Sequence, residues 1–128
     1  MLHFGFEAAL LLIVNTFLTL PFGIAALAAP AEVFAQFGLK LDPGGALIAR
    51  GYSATLIGYG LVLWLLRHTS EATVTKPLLL SLVVFNGIEA VIQGVAGIQG
   101  LALPVIFANV GLHGLVCGAC LYAYLKQA

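Results

Sequence analysis

The chain has 128 residues, of which 62% are hydrophobic and 8% are charged, and its formal net charge is zero. Soluble domains carry roughly 25% charged residues, and a domain this small cannot hide so much apolar surface from water. The absence of a basic patch excludes nucleic acid as a partner. The remaining solvent is lipid, so the composition predicts an integral membrane protein whose surface contacts the bilayer.

Four apolar stretches are each long enough to cross a bilayer, which takes about 20 residues in helical form. They cover residues 4–29, 46–67, 78–100 and 103–125. The connections are too short for a soluble domain. We therefore predict an all-α fold, an integral membrane four-helix antiparallel bundle that forms a single transmembrane domain. The lead-in Met1-Leu2-His3 has no Lys or Arg, so we expect the first span to be retained rather than cleaved as a signal.

The connections carry recognisable local patterns. The apolar residues Val33, Phe34 and Phe37 in the first connection are typical of a short interfacial helix. The segment 42–45 (DPGG) is typical of a turn. Pro77 is predicted to begin the third helix, where its missing amide hydrogen costs nothing. The turn between the third and fourth spans is very short, which predicts a tight antiparallel hairpin.

The third span carries a polar stripe in an otherwise apolar sequence. Asn86, Glu89 and Gln93 recur at steps of three and four, so they lie on one helical face. A carboxylate at bilayer depth costs about 2.5 kcal/mol or more unless it faces protein or water. We therefore predict that Glu89 faces the bundle interior. Its expected partners are Asn86, Asn109 or His113 if it is protonated, and Arg50 or a protonated His113 if it is ionised.

Polar side chains of all four spans fall near one depth when about 1.5 Å per residue is counted from the span ends: Asn15, Tyr59, Asn86, Glu89 and His113. Asn109 and Gln93 lie somewhat toward the outer side, and Arg50 starts shallower but has a long side chain. Arg50 faces away from Tyr52 on the second helix, so both cannot point at the centre of the pocket. This coincidence predicts a polar pocket inside the bundle. The candidate catalytic residues are Glu89 and His113, and the candidate ligand-binding residues are Asn15, Arg50, Tyr59, Asn86, Gln93 and Asn109.

Several functions are compatible with such a pocket. The first is binding of a lipophilic small molecule or a membrane partner subunit around Glu89. The second is a membrane-embedded isomerase or hydrolase of a lipophilic substrate that uses Glu89 and His113 as acid and base. The third is a structural subunit, in which polar side chains hold the helices in register at about 0.6 kcal/mol per hydrogen bond. We predict no cofactor and no metal.

Two further patterns lie on the fourth span. Cys117 and Cys120 are spaced as C-x-x-C, which permits thiol–disulfide chemistry where one thiolate is exposed, although two small residues at a helix contact are the plainer interpretation. Gly111, Gly114 and Gly118 share a face, and such spacing lets helices approach closely in lipid. We expect this face to contact another helix, either within the bundle or in a homo-oligomer.

The orientation follows from the basic residues near the span ends. With both termini in the cytoplasm, Arg67, Lys76 and Lys126 lie inside, whereas Lys40 and Arg50 lie outside. This excess of basic residues on the inner side favours a multi-pass protein of the cell membrane with cytoplasmic termini.

A resemblance to a known family rests on three short segments: residues 30–39 (PAEVFAQFGL), 49–51 (A-R-G) and 58–61 (G-Y-G-L). They resemble the small DoxX-like four-helix membrane proteins over the end of the first helix and most of the second. The resemblance implies a four-helix bundle, and some members of that family serve membrane oxidoreductase complexes. It carries over one position, Arg50, as a candidate site residue.

Overall fold

The structure, a computed structural model, describes residues 2–127, with side chains from Gly5 onward. Within that range the chain forms five helices: α1 (Leu2–Ala28), α2 (Pro30–Ala35), α3 (Pro43–Leu66), α4 (Ala72–Ile98) and α5 (Ile106–Lys126). All but the short α2 are long and apolar enough to cross a membrane. The predicted all-α membrane bundle with four spans is therefore confirmed.

The four long helices form two pairs. α1 packs mainly against α3, and α4 packs mainly against α5, while contacts of α1 with α4 and α5 join the pairs. Residues 99–105 connect α4 to α5, as the predicted hairpin requires. Side chains from all four spanning helices form the central apolar cluster: Leu12, Leu63, Leu82, Val116 and Cys120.

The close approach of α1 and α3 depends on glycine. A Cβ atom at Gly60 would lie 2.8 Å from the Thr19 Oγ1 atom, and one at Gly23 would lie 3.1 Å from the Ser53 carbonyl oxygen. The Thr16 hydroxyl also donates a hydrogen bond to the Gly60 carbonyl oxygen at 3.4 Å. Lipid tails are as apolar as leucine, so membrane helices associate through this kind of backbone contact rather than through the hydrophobic effect.

The segment 42–45 is not a separate turn as predicted, because α3 already begins at Pro43. Asp42 is the N-cap residue, and its Oδ1 atom accepts a hydrogen bond from the Gly45 amide at 2.6 Å. Asp at the N-cap followed by Pro at the first helical position is a strong helix start. The two glycines therefore belong to the first turn of the helix.

The start of α4 also differs from the prediction. The helix begins at Ala72 instead of residue 78, so Pro77 lies inside it. A tertiary contact holds the extra turn, since the Thr75 hydroxyl donates to Gln127 Oε1 at 3.0 Å across the α4/α5 pair. Contacts between distant segments override the local helix-breaking tendency of proline here.

The predicted short helix of the first connection is α2. Phe34 on this helix packs edge-on against Phe22 of α1, with ring centroids 6.1 Å apart. Gly38 follows with a positive φ of 78°, and the preceding Phe37 carbonyl oxygen accepts a hydrogen bond from the Leu103 amide at 2.8 Å. The first connection is thereby tied to the turn between α4 and α5.

The predicted glycine face of α5 lies on the outside. Nothing within the described residues comes within 4 Å of a Cβ atom built at Gly111, Gly114 or Gly118. The expectation of a contact within the bundle is therefore wrong, because α5 turns Asn109 and His113 toward α4 instead. A contact of this face with a second copy of the chain stays a prediction.

We predict that this face joins two copies of the chain, so Gly114→Leu should reduce the oligomer size and leave the monomer as stable as before or slightly more stable. A leucine at this open position touches nothing within the chain but keeps two helix backbones apart. Size-exclusion chromatography with light scattering in mild detergent measures the oligomer size. Gly51→Leu is the control, since Gly51 is equally open on α3. An unchanged oligomer size for Gly114→Leu contradicts the prediction.

Candidate functional site

A hydrogen-bonded network, here called the inner network, joins α1, α4 and α5 inside the bundle. Asn86 Nδ2 donates to Asn15 Oδ1 at 3.0 Å, and His113 Nδ1 lies 2.8 Å from Asn86 Oδ1. Asn15 Nδ2 contacts Cys120 Sγ at 3.9 Å. Both asparagines are fully buried, and polar groups at this depth need partners within the protein because lipid offers none. The network therefore links the two helix pairs.

The contact with Asn86 defines the roles of the His113 ring nitrogens. The Asn86 amide group donates to Asn15 and to the Leu82 carbonyl oxygen, which fixes its Oδ1 atom as the acceptor facing His113. His113 Nδ1 must therefore carry a hydrogen and donate it. The other nitrogen, Nε2, has no hydrogen bond to any residue that the structure describes. In the neutral ring, Nε2 is a free acceptor.

A second network, here called the outer network, surrounds Glu89 and joins α3, α4 and α5. Tyr52 Oη donates to Glu89 Oε1 at 2.6 Å, and Gln93 Nε2 donates to Glu89 Oε2 at 2.8 Å. Asn109 Nδ2 in turn donates to Gln93 Oε1 at 2.7 Å. Both carboxyl oxygens of Glu89 thus accept hydrogen bonds from neutral donors.

The predicted partners of Glu89 are wrong. Its partners are Tyr52 and Gln93, neither of which was expected. Positions 50 and 52 on α3 are separated by about 200° around the helix axis, so turning Tyr52 toward α4 turns Arg50 away. Arg50 is exposed and forms no ion pair with a described residue. The ion pair found in that part of the chain joins Lys126 Nζ to Glu7 Oε1 at 3.4 Å. Glu89 forms no ion pair within that part of the chain, and His113 is the basic residue that interacts with it at longer range.

A small cavity, here called the inner cavity, lies between the helix pairs and has a volume of about 70 Å³. Polar side chains of both networks line it together with apolar ones, among them Leu56 and Phe85. A water molecule needs about 10–15 Å³ of such volume and two or more polar partners. The inner cavity is therefore large enough and polar enough to hold a few water molecules. Its polar lining residues are Asn15, Thr19, Tyr52, Asn86, Asn109 and His113.

A larger cavity, here called the outer cavity, has a volume of about 220 Å³ and a different character. Its polar wall is the whole outer network, Tyr52, Glu89, Gln93 and Asn109. The remaining lining is apolar and comes from α2, α4, α5 and the connections: Phe34, Phe37, Leu39, Ile92, Ala96, Ala102 and Ile106. Tyr52 and Asn109 line both cavities and form the boundary between them.

The structure brings most of the predicted site residues together but divides them into two groups. Glu89 belongs to the outer network and His113 to the inner one, and no hydrogen bond joins these two within the described chain. Tyr59 lines neither cavity, since its hydroxyl lies 3.0 Å from Ser81 Oγ. The Tyr59 ring packs against the Phe85 ring. The Phe85 ring in turn packs edge-on against the His113 ring, with the ring centroids 6.1 Å apart.

Tyr52 lines the site but was not among the site residues predicted from the sequence. It lies seven residues before Tyr59, two helical turns away, so the two tyrosines share a face of α3. Tyrosines are common near the membrane surfaces, so Tyr52 was interpreted as an interface or packing residue. The feature that could have identified Tyr52 is the depth of its hydroxyl in the membrane, which matches the depth of Glu89 on α4.

The two cysteines make helix contacts. Cys120 is buried and receives the contact from Asn15, while Cys117 Sγ donates to the Val83 carbonyl oxygen at 3.4 Å. Both are free thiols. Among the described residues no group of three or more His, Cys, Asp or Glu side chains is placed to hold a metal ion.

No family model matches the chain, and neither a curated protein nor a solved structure matches it. The fold defines a multi-pass membrane protein with four spanning helices. Its distinguishing features are the two hydrogen-bonded networks and the two cavities that they line.

Proposed function

We propose that the protein binds a lipophilic small molecule through the outer cavity, with Glu89 as the anchor for the polar end of the ligand. The supporting observation is the position of Glu89 within a membrane-spanning helix, at the wall of a mostly apolar cavity and without an ion pair in the described chain. Ionisable side chains within a membrane span are costly, and they usually mark a site for substrates, ions or protons.

The partners of Glu89 indicate the polar chemistry of the ligand. Tyr52 and Gln93 each occupy one carboxyl oxygen, and each oxygen has a second lone pair. A ligand that donates hydrogen bonds can use those lone pairs. An ammonium group also supplies the positive charge that the surroundings of Glu89 lack, so we propose a lipophilic amine as the ligand class.

The apolar walls indicate the lipophilic part. Aromatic and aliphatic side chains of α2, α4 and α5 form most of the lining. Sites for whole drug-sized ligands have volumes of about 300–1,000 Å³, which is more than the outer cavity offers. The cavity therefore accommodates the polar end and the first carbons of the ligand, and the rest of its chain extends into the lipid.

Three probes with the same alkyl chain test this proposal: dodecylamine, dodecanol and dodecanoic acid. We expect dodecylamine to raise the thermal unfolding temperature in detergent most, because only it pairs with a carboxylate. A ligand at 100 times its Kd stabilises the folded state by about 2.7 kcal/mol. Dodecanol should give a smaller rise and dodecanoic acid none. Equal shifts with all three probes, or no shift with dodecylamine, contradict the proposal.

Catalysis by Glu89 and His113 remains the second candidate. The observation that favours it is the open Nε2 atom of His113, whose ring lines the inner cavity. A substrate of an isomerase or hydrolase would have to reach past Tyr52 and Asn109 to contact both residues. Chemical conversion of a bound lipophilic molecule, lost in both Glu89→Gln and His113→Gln, would distinguish catalysis from binding.

A structural role is supported by a different observation. Every buried nitrogen or oxygen atom in the described side chains has a hydrogen-bond partner. Satisfied networks of this kind hold membrane helices in register without any ligand. We also propose a DoxX-like relationship, on the short segments in and around α2 and α3, which would imply a subunit role. The exposed Arg50 would then contact a membrane partner subunit.

We also propose that the protein lies in the cell membrane with the start of α1 and the end of α5 in the cytoplasm. The basic residues Arg67, Lys76 and Lys126 then lie inside. A cysteine replacing the exposed Thr73, in a variant without Cys117 and Cys120, should react with an impermeant maleimide only after the cells are opened. Labelling in intact cells contradicts this orientation.

A further inference from the structure

A third cavity, here called the interfacial groove, lies at the other end of the α4/α5 pair from the outer cavity. It has a volume of about 550 Å³ and is open to the surroundings. It is formed by the first residues of α4 and the last residues of α5, with Gln127 beyond the helix end: Ala72, Thr73, Lys76, Pro77, Leu80, Tyr124 and Gln127. Because both helices are membrane spans, this groove lies where they leave the lipid.

The polar atoms of the groove are hydrogen-bond donors of positive or neutral charge. The Lys76 ammonium group lies 5.4 Å from the centroid of the Tyr124 ring, and it forms no ion pair with a described residue. Gln127 Oε1 is occupied by the Thr75 hydroxyl, which leaves the amide hydrogens of Gln127 as donors. Among the described residues no carboxylate side chain lines the groove, and Glu71, just outside α4, is exposed.

The apolar atoms of the groove lie on one side of these donors. Pro77 follows Lys76 directly, and Leu80 lies one helical turn further along α4, toward the interior of the span. The groove therefore has a cationic, hydrogen-bond-donating end at the membrane surface and an apolar end directed into the bilayer. This is the polarity of a phospholipid that carries an anionic headgroup.

We propose that the interfacial groove binds an anionic phospholipid, with its phosphate at Lys76 and Gln127 and the start of an acyl chain along Pro77 and Leu80. Charge complementarity selects the headgroup, since Lys76 lacks an acidic partner among the described residues. The apolar end selects a lipid over a soluble phosphate, because a free anion leaves Leu80 and Pro77 uncovered. This site is separate from the outer cavity and does not depend on the function proposed for Glu89.

Native mass spectrometry of the purified protein tests the proposal with two probes, dioleoyl phosphatidylglycerol and dioleoyl phosphatidylcholine at equal concentration. We expect the wild type to retain the anionic lipid preferentially. A basic residue near an anionic membrane surface contributes about 1 kcal/mol, so Lys76→Gln should lower the preference about fivefold. Lys76→Arg should keep it. Lys40→Gln is the matched control, since Lys40 is exposed in the first connection and far along the chain from the groove.

Two results would overturn the proposal. One is a failure of selectivity: the wild type retains the two lipids equally, or Lys76→Gln shows the same lipid preference as the wild type. The other is displacement of the bound phosphatidylglycerol by millimolar glycerol phosphate, which would mean that a soluble anion suffices. Thermal unfolding of each variant in detergent serves as the folding check. Lys76 is half-buried and forms no ion pair with a described residue, so Lys76→Gln should unfold within a few degrees of the wild type.

Discussion

Gly60→Leu is expected to destabilise the protein by up to about 3 kcal/mol, because overpacking a close helix contact forces the backbones apart. The position allows no side chain, since a single Cβ atom would already lie 2.8 Å from Thr19 Oγ1 and 3.3 Å from the Leu20 amide nitrogen. Thr19 cannot simply rotate away, because its hydroxyl donates to the Asn15 carbonyl oxygen at 2.8 Å. The substitution therefore separates α1 from α3.

Gly58 provides the matched control, two residues away on the same helix. Nothing lies within 4 Å of a Cβ atom at Gly58, so Gly58→Leu adds a side chain that faces lipid. Removing a glycine from a helix interior stabilises it by roughly 0.5–1 kcal/mol, so this control should be neutral or slightly stabilising. Reversible unfolding in mixed micelles measures both variants. Similar unfolding free energies for the two would show that Gly60 is not a packing contact.

The glycines also show why helix contacts were hard to predict from the sequence. Gly111, Gly114 and Gly118 form a regular face that lies outside, whereas the isolated Gly60 and Gly23 lie at the contact of α1 with α3. In a soluble protein the apolar face marks the inside of a helix. Lipid is as apolar as the core, so this signal is absent and spacing alone does not say which face is buried.

The polar residues were more informative than the glycines. Counting the rise along each helix predicted one shared depth for five residues: Asn15, Tyr59, Asn86, Glu89 and His113. Three of them, Asn15, Asn86 and His113, form the inner network. Their burial follows from the cost of leaving an amide unpartnered in hydrocarbon. Depth, however, says nothing about rotation around the helix axis. The choice between Arg50 and Tyr52 as the residue facing Glu89 depended on that rotation.

Helix starts depended on contacts that the local sequence does not encode. Pro77 is a strong local signal for the first turn of a helix, yet α4 begins at Ala72. The early turn is held by Thr75 through its hydrogen bond to Gln127, a residue more than fifty positions later. The N-cap at Asp42, in contrast, is a local feature, and its misassignment came from the weight given to the two glycines that follow.

Glu89→Gln is expected to weaken the binding of a lipophilic amine tenfold or more while the fold is retained. A hydrogen bond to a charged group contributes about 1.5–3 kcal/mol, and about 1.4 kcal/mol corresponds to a factor of ten in Kd. The new amide can still accept from Tyr52. It can donate to Gln93 if the Gln93 and Asn109 amides both turn over, so the outer network can re-form with its donors reversed.

The free energy of unfolding of Glu89→Gln should stay close to that of the wild type. Because each lost hydrogen bond is replaced by another, the free energy of unfolding should change by no more than about 1 kcal/mol. Glu32→Gln is the matched control for surface charge, since Glu32 is an exposed carboxylate on α2 and does not line the outer cavity. It removes the same charge from the same end of the molecule.

The most direct test of the proposed function is the dodecylamine-induced shift in thermal unfolding temperature, measured side by side for the wild type, Glu89→Gln and Glu32→Gln. We expect the shift in the wild type and in Glu32→Gln to be equal, and the shift in Glu89→Gln to be absent or small. Dodecanol should shift all three alike. A dodecylamine shift that is the same in Glu89→Gln as in the wild type would contradict Glu89 as the anchor of a lipophilic amine.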